Sequence, residues 1–354
     1  MRIYLSRVLA ALVPALICVS GSARAQVSQF LKPVNLTSQS FTSSSYYADD
    51  SGGDPLTASP ANQSTGSCES CTSCQKSCEC IGNWRDNTQV WIGADAYKSI
   101  GDTFIPSGSG TSFMNSAGVV AGFNTGFRLG QSRVRGQIGA SYGVYDLKGR
   151  DTASPSSSEQ QTFVTFGFSK RSDILNGDRI SWGLVYDQFF GHQWGLFANE
   201  VYLSQVRGIA GYALNECNEI GVWGTFHANN DASVVNVGPI RASNQANVYW
   251  RHNYEFGGST MAYVGGVDRA DIGNWLVGVL AQAPLNDSLS IYSNTTFAFP
   301  GSKTGNVGSN ELEWNLGLGL MYSFGGKAVS PSVSGQQGLP LLPVANNGSM
   351  LITN

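Results

Sequence analysis

Leu312-Glu-Trp314-Asn-Leu316-Gly-Leu318-Gly-Leu320-Met-Tyr322-Ser-Phe324 decides the fold class of this chain. Every second residue is large and apolar, and most residues between are small or polar. Successive side chains of a strand point to opposite faces, so this period of two describes a strand with one greasy face and one wet face. Working outward, similar segments lie near 88–99, 116–129, 132–146, 160–171, 178–190, 199–212, 218–228, 244–256, 259–268, 273–283 and 288–299. A strand that crosses a bilayer needs ~9–11 residues, which most of these supply. The expected fold is all-β: an antiparallel up-and-down transmembrane β-barrel of about 12 strands. Segment 199–212 has a poor period and 259–268 is short, so ten or fourteen strands also fit. A soluble β-sandwich would show the same alternation. A long meander with so little charge would leave its edges poorly protected.

Composition supports the membrane reading. Charged residues are 13% of the 354, about half the usual share. Mean hydropathy is nevertheless only -0.10. Beyond residue 25 no apolar run approaches the ~20 residues of a spanning helix. The greasy residues are interleaved rather than consecutive.

Residues 1–25 read as a Sec-type signal peptide, with Arg2 and Arg7, an apolar core over Val8–Val19, and Ala23-Arg24-Ala25 as the cleavage site. Cys18 raises lipidation as an alternative, but Ile17 before it is not the small residue such a site needs. Removing the signal leaves 18 basic against 24 acidic residues, and no basic cluster. That excludes an electrostatic footprint for nucleic acid. Residues 26–87 read as a flexible Ser/Thr-rich leader, with a cysteine cluster at 68–80. The barrel is expected over 88–325. Residues 326–354, with Pro331, Pro340 and Pro343, read as a disordered tail that no barrel strand can use.

Charge decides the faces. Arg on the lipid side at mid-depth costs ~2–4 kcal/mol, so charged residues are placed inward. Arg133, Arg135, Asp187, Arg251 and Glu255 are therefore the expected lumen lining. In segment 178–190, Ile180, Trp182, Leu184 and Tyr186 should face lipid. In 244–256, Val248, Trp250 and Tyr254 should do so. Trp91, Trp182, Trp194, Trp223, Trp275 and Trp314, with Tyr97, Tyr145 and Tyr292, mostly fall toward strand ends, where an aromatic girdle would sit.

Gly319-Leu-Met-Tyr322-Ser-Phe324 looks like the signal that outer-membrane barrels present to their insertion machinery, although family members usually stop there and this chain continues. The wider layout resembles porin-like outer-membrane proteins of planctomycete bacteria, a set largely of unknown function. The resemblance is carried by the Cys68–Cys80 leader, the first strand with Trp91, and the tail Leu342-Pro343-Val344-Ala345-Asn346-Asn347-Gly348. It implies location and shape, with no catalytic residue and no cofactor.

Cys68, Cys71, Cys74 and Cys78 have the spacing of a bacterial iron–sulfur run, but Glu79 stands where a Pro is expected. Export favours disulfides among these, Cys80 and Cys217, and zinc remains compatible with the spacing. Gly139-Ala-Ser141-Tyr-Gly143 matches a nucleophile elbow, yet it lies inside a strand, where small residues serve close packing of lumen side chains. His192 and His252 are the histidines a membrane-embedded hydrolase would draw on. The leading expectation is a non-enzymatic outer-membrane barrel that acts as a narrow passive channel for small solutes or ions. Its partners would be outer-membrane lipids and the insertion machinery. The alternatives are a structural or interaction barrel with a blocked lumen, and the hydrolase.

Overall fold

The computed structural model describes residues 84–104, 112–113, 115–130, 132–147, 158–195, 198–231, 239–268, 273–299, 313–330, 332 and 339–353. The expected signal peptide, most of the leader and the Cys68–Cys80 cluster lie outside the described residues.

Twelve antiparallel strands close into a barrel. They are β1 (Thr88–Lys98), β2 (Ser116–Arg128), β3 (Arg135–Tyr145), β4 (Glu159–Lys170), β5 (Ile180–Trp194) and β6 (Asn199–Ala213). The others are β7 (Asn218–His227), β8 (Gln245–Asn253), β9 (Ser259–Val267), β10 (Trp275–Pro284), β11 (Leu289–Phe299) and β12 (Trp314–Ser323). Each strand pairs with its neighbours in sequence, and β1 closes the ring on β12 with Trp91 opposite Met321 and Gly93 opposite Gly319. Both segments with the weakest pattern, Asn199–Ala213 and Ser259–Val267, are barrel strands.

Short connections at residues 129–134, 171–179, 214–217, 254–258 and 285–288 gather at one end, the turn end. Thr88 and Ser323 lie there too, as an even strand number requires. At the opposite, loop end, the chain between β7 and β8 forms two short strands, Asn230–Asp231 and Ile240–Ala242.

The outer wall is apolar where the alternation says it should be. Ile92, Leu184, Val248 and Leu318 are each more than half exposed. A soluble monomer does not present such a continuous apolar surface, whereas hydrocarbon tolerates it. Phe127, Phe168, Tyr212 and Tyr322 ring the turn end, and Phe190, Tyr202, Phe226, Trp275 and Phe299 ring the loop end. These differ from most of the aromatics expected in the girdle. Tyr97, Tyr145, Trp194, Trp223 and Tyr292 are buried inside, and Trp91 packs on the interior cluster. Register explains five of the six, because odd-numbered residues of β1, β3 and β7 and even-numbered residues of β11 face in. A shift in pairing between Gly191 and Trp194 turns Trp194 inward against its parity.

The largest departure is the tail. Residues 339–353 are ordered and occupy the lumen. Leu341, Leu342, Val344, Met350, Leu351 and Ile352 are all buried there. At the loop end Ile352–Thr353 adds to the short strand Ile240–Ala242, pairing with Ala242 and Arg241. The prolines do keep the tail out of the barrel wall. Inside a lumen, however, a segment needs partners for its carbonyls rather than a ladder.

Candidate functional site

The tail enters at the turn end and climbs the barrel, and the wall meets its carbonyls with donors. Arg171, just beyond β4, donates Nε to Leu339 O at 3.0 Å and a terminal nitrogen to Pro340 O. Asn124 of β2 and Gln137 of β3 both donate to Leu342 O, at 2.9 and 2.6 Å. Arg207 of β6 donates to Pro343 O at 2.7 Å, and Ala345 N donates to Thr165 of β4 at 3.0 Å. Gln205 and Gln245 both donate to Ser349 O, at 3.1 and 3.2 Å. Proline carries no N–H, so Pro340 and Pro343 leave only acceptors to be satisfied. Amide and guanidinium side chains are the matching donors.

Around the middle, Arg207 is fixed by Asp187 of β5. Its Nε lies 3.0 Å from the carboxylate, and the two side chains are 3% and 0% exposed. Thr165 and Gln205 also donate to Asp187, at 2.7 and 3.0 Å. Nearer the loop end Asn347 joins a network. It donates to Gln161 Oε1 at 2.9 Å, while Tyr145 and Asn315 donate to Asp95 at 2.8 and 2.9 Å. Tyr97 and Glu159 share a hydrogen bond beside it.

Apolar contacts complete the fit. A Cβ on Gly139 would stand 2.6 Å from Val344 Cγ2, and one on Gly183 would strike Leu342. The small residues around Ser141 thus serve packing, as their strand position implies, and Ser141 is buried in mid-strand with no elbow geometry.

The expected lumen residues divide. Asp187 lies inside, as does Arg251, whose guanidinium meets Glu219 of β7 at 2.9 Å. Tyr249 and Ser181 donate to the same Glu219, at 2.7 and 3.0 Å. Arg135 starts β3 on the inner face at the turn end, half-buried. Two expectations are corrected. Arg133 precedes the strand and pairs outside the lumen with Asp178 at 3.2 Å. Glu255 is exposed in the turn after β8, because that strand ends at Asn253. Sequence reasoning missed Arg171, Arg207 and Asn124. Arg207 carried a readable signal, since a mid-strand arginine must face inward.

At the turn end, the Lys170 ammonium 2.6 Å from Asp178, aided by the Ile180 N–H and by Arg133, holds that carboxyl below its ordinary range. Gly319 faces inward under Tyr292, while Tyr322 and Phe324 lie outward and meet edge to face at 5.1 Å. Cys217 sits in the turn after β6, with no disulfide partner among the described residues. Among the hydrolase candidates, His192 meets Glu200 on the outer wall. His252 bonds Asn218 at 2.9 Å and packs between Trp250 and Tyr254.

A family model covers residues 87–352, from the start of β1 to the strand inside the loop end. The chain belongs to the Family of unknown function (DUF6666). The match takes in the tail as well as the barrel. No curated protein sequence matches the chain. Among solved structures it is similar to an outer membrane channel from Pseudomonas putida F1, at 11% identity and a TM-score of 0.46, covering 67% of this chain and 95% of that one. It is also similar to the outer membrane phospholipase of Salmonella typhi, at 10% identity and a TM-score of 0.38, covering 66% and 90%. The NanC porin gives 9% identity and a TM-score of 0.37, covering 66% and 98%. At these scores none of the three says what this chain does.

Proposed function

We propose that this protein is an outer-membrane barrel closed at rest by its own C-terminal segment, and that it is not a standing open pore. The observation that carries this reading is the double hold at mid-barrel. Arg207 is fixed by Asp187 and bonded to Pro343 O, and Asn124 and Gln137 converge on Leu342 O. Among the expectations drawn from sequence, the blocked lumen therefore has better support than the narrow passive channel. Solute passage would require the tail to move.

In this reading the Sec-type signal delivers the chain to the envelope. The insertion machinery meets the end of β12 at Gly319, Tyr322 and Phe324, and lipids cover the outer wall. The turn end faces the periplasm, as short turns do in such barrels. The tail motif Leu342–Gly348, which carries the resemblance to planctomycete porin-like proteins, is then the plug itself. No catalytic residue is assigned.

Single-channel recording in planar bilayers tests the proposal. The intact mature chain is expected to give no current steps at moderate voltage. A variant lacking 339–353, with its folding checked by the gel-mobility difference between boiled and unboiled samples, is expected to give steps. Equal conductance from both proteins would overturn it.

A further inference from the structure

Beside the tail, a cavity of about 250 Å³ remains between Leu339–Asn346 and the wall. That is slightly below the ~300–1,000 Å³ typical of small-molecule sites. Its body is apolar and aromatic, with Trp91, Trp223, Met261, Tyr263 and Leu280 among its lining. Arg171, Arg207, Arg251 and Lys327 line it, with Asp95 as the carboxylate of the lining, while Asp187 pairs with Arg207 and Glu219 with Arg251. Arg171, Arg251 and Lys327 stand at the turn end, whereas Asp95 lies toward the loop end.

Burial, then the charges of Arg251 and Arg135, holds the Arg171 guanidinium below its ordinary range, and Glu219 only partly offsets this. Burial, then Arg135, does the same to the Lys327 ammonium, against the pull of Asp86. Arg171 bonds the Leu339 and Pro340 carbonyls and Lys327 donates to Asn87 Oδ1 at 2.6 Å, neutral partners beside which an anion would supply a counter-charge. Deeper in, Tyr292 and Trp223 are more than nine-tenths buried and line the cavity, and among the described residues the Tyr292 hydroxyl and the Trp223 ring N–H have no hydrogen-bond partner. Buried polar groups of that kind normally have partners.

We propose that this cavity binds a small amphipathic anion, a monocarboxylate with an aromatic or short aliphatic body. The carboxylate meets the cations at the turn end and the body lies against Trp91, Met261 and Leu280. The proposal rests on the closed-barrel reading, because the tail forms one wall of the site. Long acyl chains are excluded by the volume.

The test is titration of the purified intact protein in non-ionic detergent with 2-naphthoate, followed by tryptophan fluorescence. The neutral 2-naphthylmethanol and the cationic 2-naphthylmethylammonium serve as comparisons. Naphthoate is expected to bind saturably and more tightly than either. Loss of one charge-assisted contact in Lys327→Gln should weaken it about tenfold and narrow its lead over the alcohol. Leu280→Trp, which fills the cavity, should abolish it. Equal, non-saturating uptake of all three probes would mean detergent partition and would overturn the proposal. So would naphthoate affinity unchanged in Lys327→Gln, a readout that survives if Leu280→Trp fails to fold. If naphthoate does not bind while the intact chain stays non-conducting, the cavity proposal falls and the closed barrel stands. An intact chain that conducts like the deletion variant removes both.

Discussion

Strands β2–β6 hydrogen-bond the tail backbone at mid-barrel, whereas strands β9–β12 meet the tail by packing, as where Gly348 lies against Thr296 and Asn315. On the gripping side Asn124, Gln137, Thr165 and Arg207 reach the tail backbone, and Gly139 and Gly183 clear space for Val344 and Leu342. On the other side the glycines serve the wall itself. Tyr292 lies flat over Gly93 and Gly319, Tyr263 over Gly278, and Asn294 over Gly317. Side chains that fold down against their own sheet leave room beside the tail, and the cavity is the result. The difference teaches that a lumen residue closes a barrel only when it points across it. Small residues seat the tail backbone on one side, and on the other they seat wall side chains beside a cavity.

Replacing Asp187 is the hardest way to break the gripping half. Asp187→Ala leaves Arg207 buried without its counter-charge, which costs about 3–5 kcal/mol in comparable buried pairs. Thermal unfolding, read from the boiled-against-unboiled gel shift, should move to markedly lower temperature. The double variant Asp187→Leu with Arg207→Met should recover most of the loss. If the single variant melts like the parent, the pair does not anchor the tail.

Gly139→Leu comes next. It places a side chain where Val344 sits, and overpacking of this kind typically costs about 1–3 kcal/mol. Displacement of the tail should also raise its cleavage by an added protease. Unchanged protection would mean that the tail does not touch β3.

A smaller effect belongs to the turn end, outside both halves. Asp178 has a depressed folded-state value, so its pairing with Lys170 and Arg133 stabilises above the ordinary carboxylate range. That contribution fades as pH falls through the folded value. Asp178→Asn should thus lower stability slightly at neutral pH, by up to about 1 kcal/mol for an exposed pair, and not at all in strong acid. A deficit that persists in strong acid would contradict the assignment.

Tyr292→Phe probes the receding half and should do least. The hydroxyl it removes has no hydrogen-bond partner among the described residues, so the change should stay within about 0.5 kcal/mol. A larger loss of thermal stability would show that this side is also engaged.

Much of this barrel is legible in one dimension. Leu312–Phe324 alone announces lipid on one face, and Leu316, Leu318 and Leu320 do point outward. Period weakens where the lumen is not uniformly polar. In Asn199–Ala213 the inward Val201, Leu203 and Ile209 are as apolar as the outer face, because they pack inside the barrel on the aromatic interior and the tail. The plug left little trace because periodicity describes paired strands, and a prolyl segment inside a lumen pairs with side chains instead. Its one signal was the run of Leu339, Leu341, Leu342, Val344, Met350, Leu351 and Ile352, too apolar for a tail left in water. Parity would also have placed Trp91, Tyr97, Tyr145, Trp223 and Tyr292 inside, whereas position along the strand suggested a girdle. Trp194 lay beyond that reasoning, since its inward turn depends on a local shift of pairing.

Whether the tail lies in the lumen can be asked directly with the paired substitutions Gly139→Cys and Val344→Cys, at positions whose side chains would be in contact. The double variant, oxidised in native membranes and digested, should yield a crosslinked peptide pair by mass spectrometry, and neither single variant should. Absence of that crosslink, with the thiol introduced by Val344→Cys instead labelled freely by a bulky water-soluble maleimide, would contradict the account.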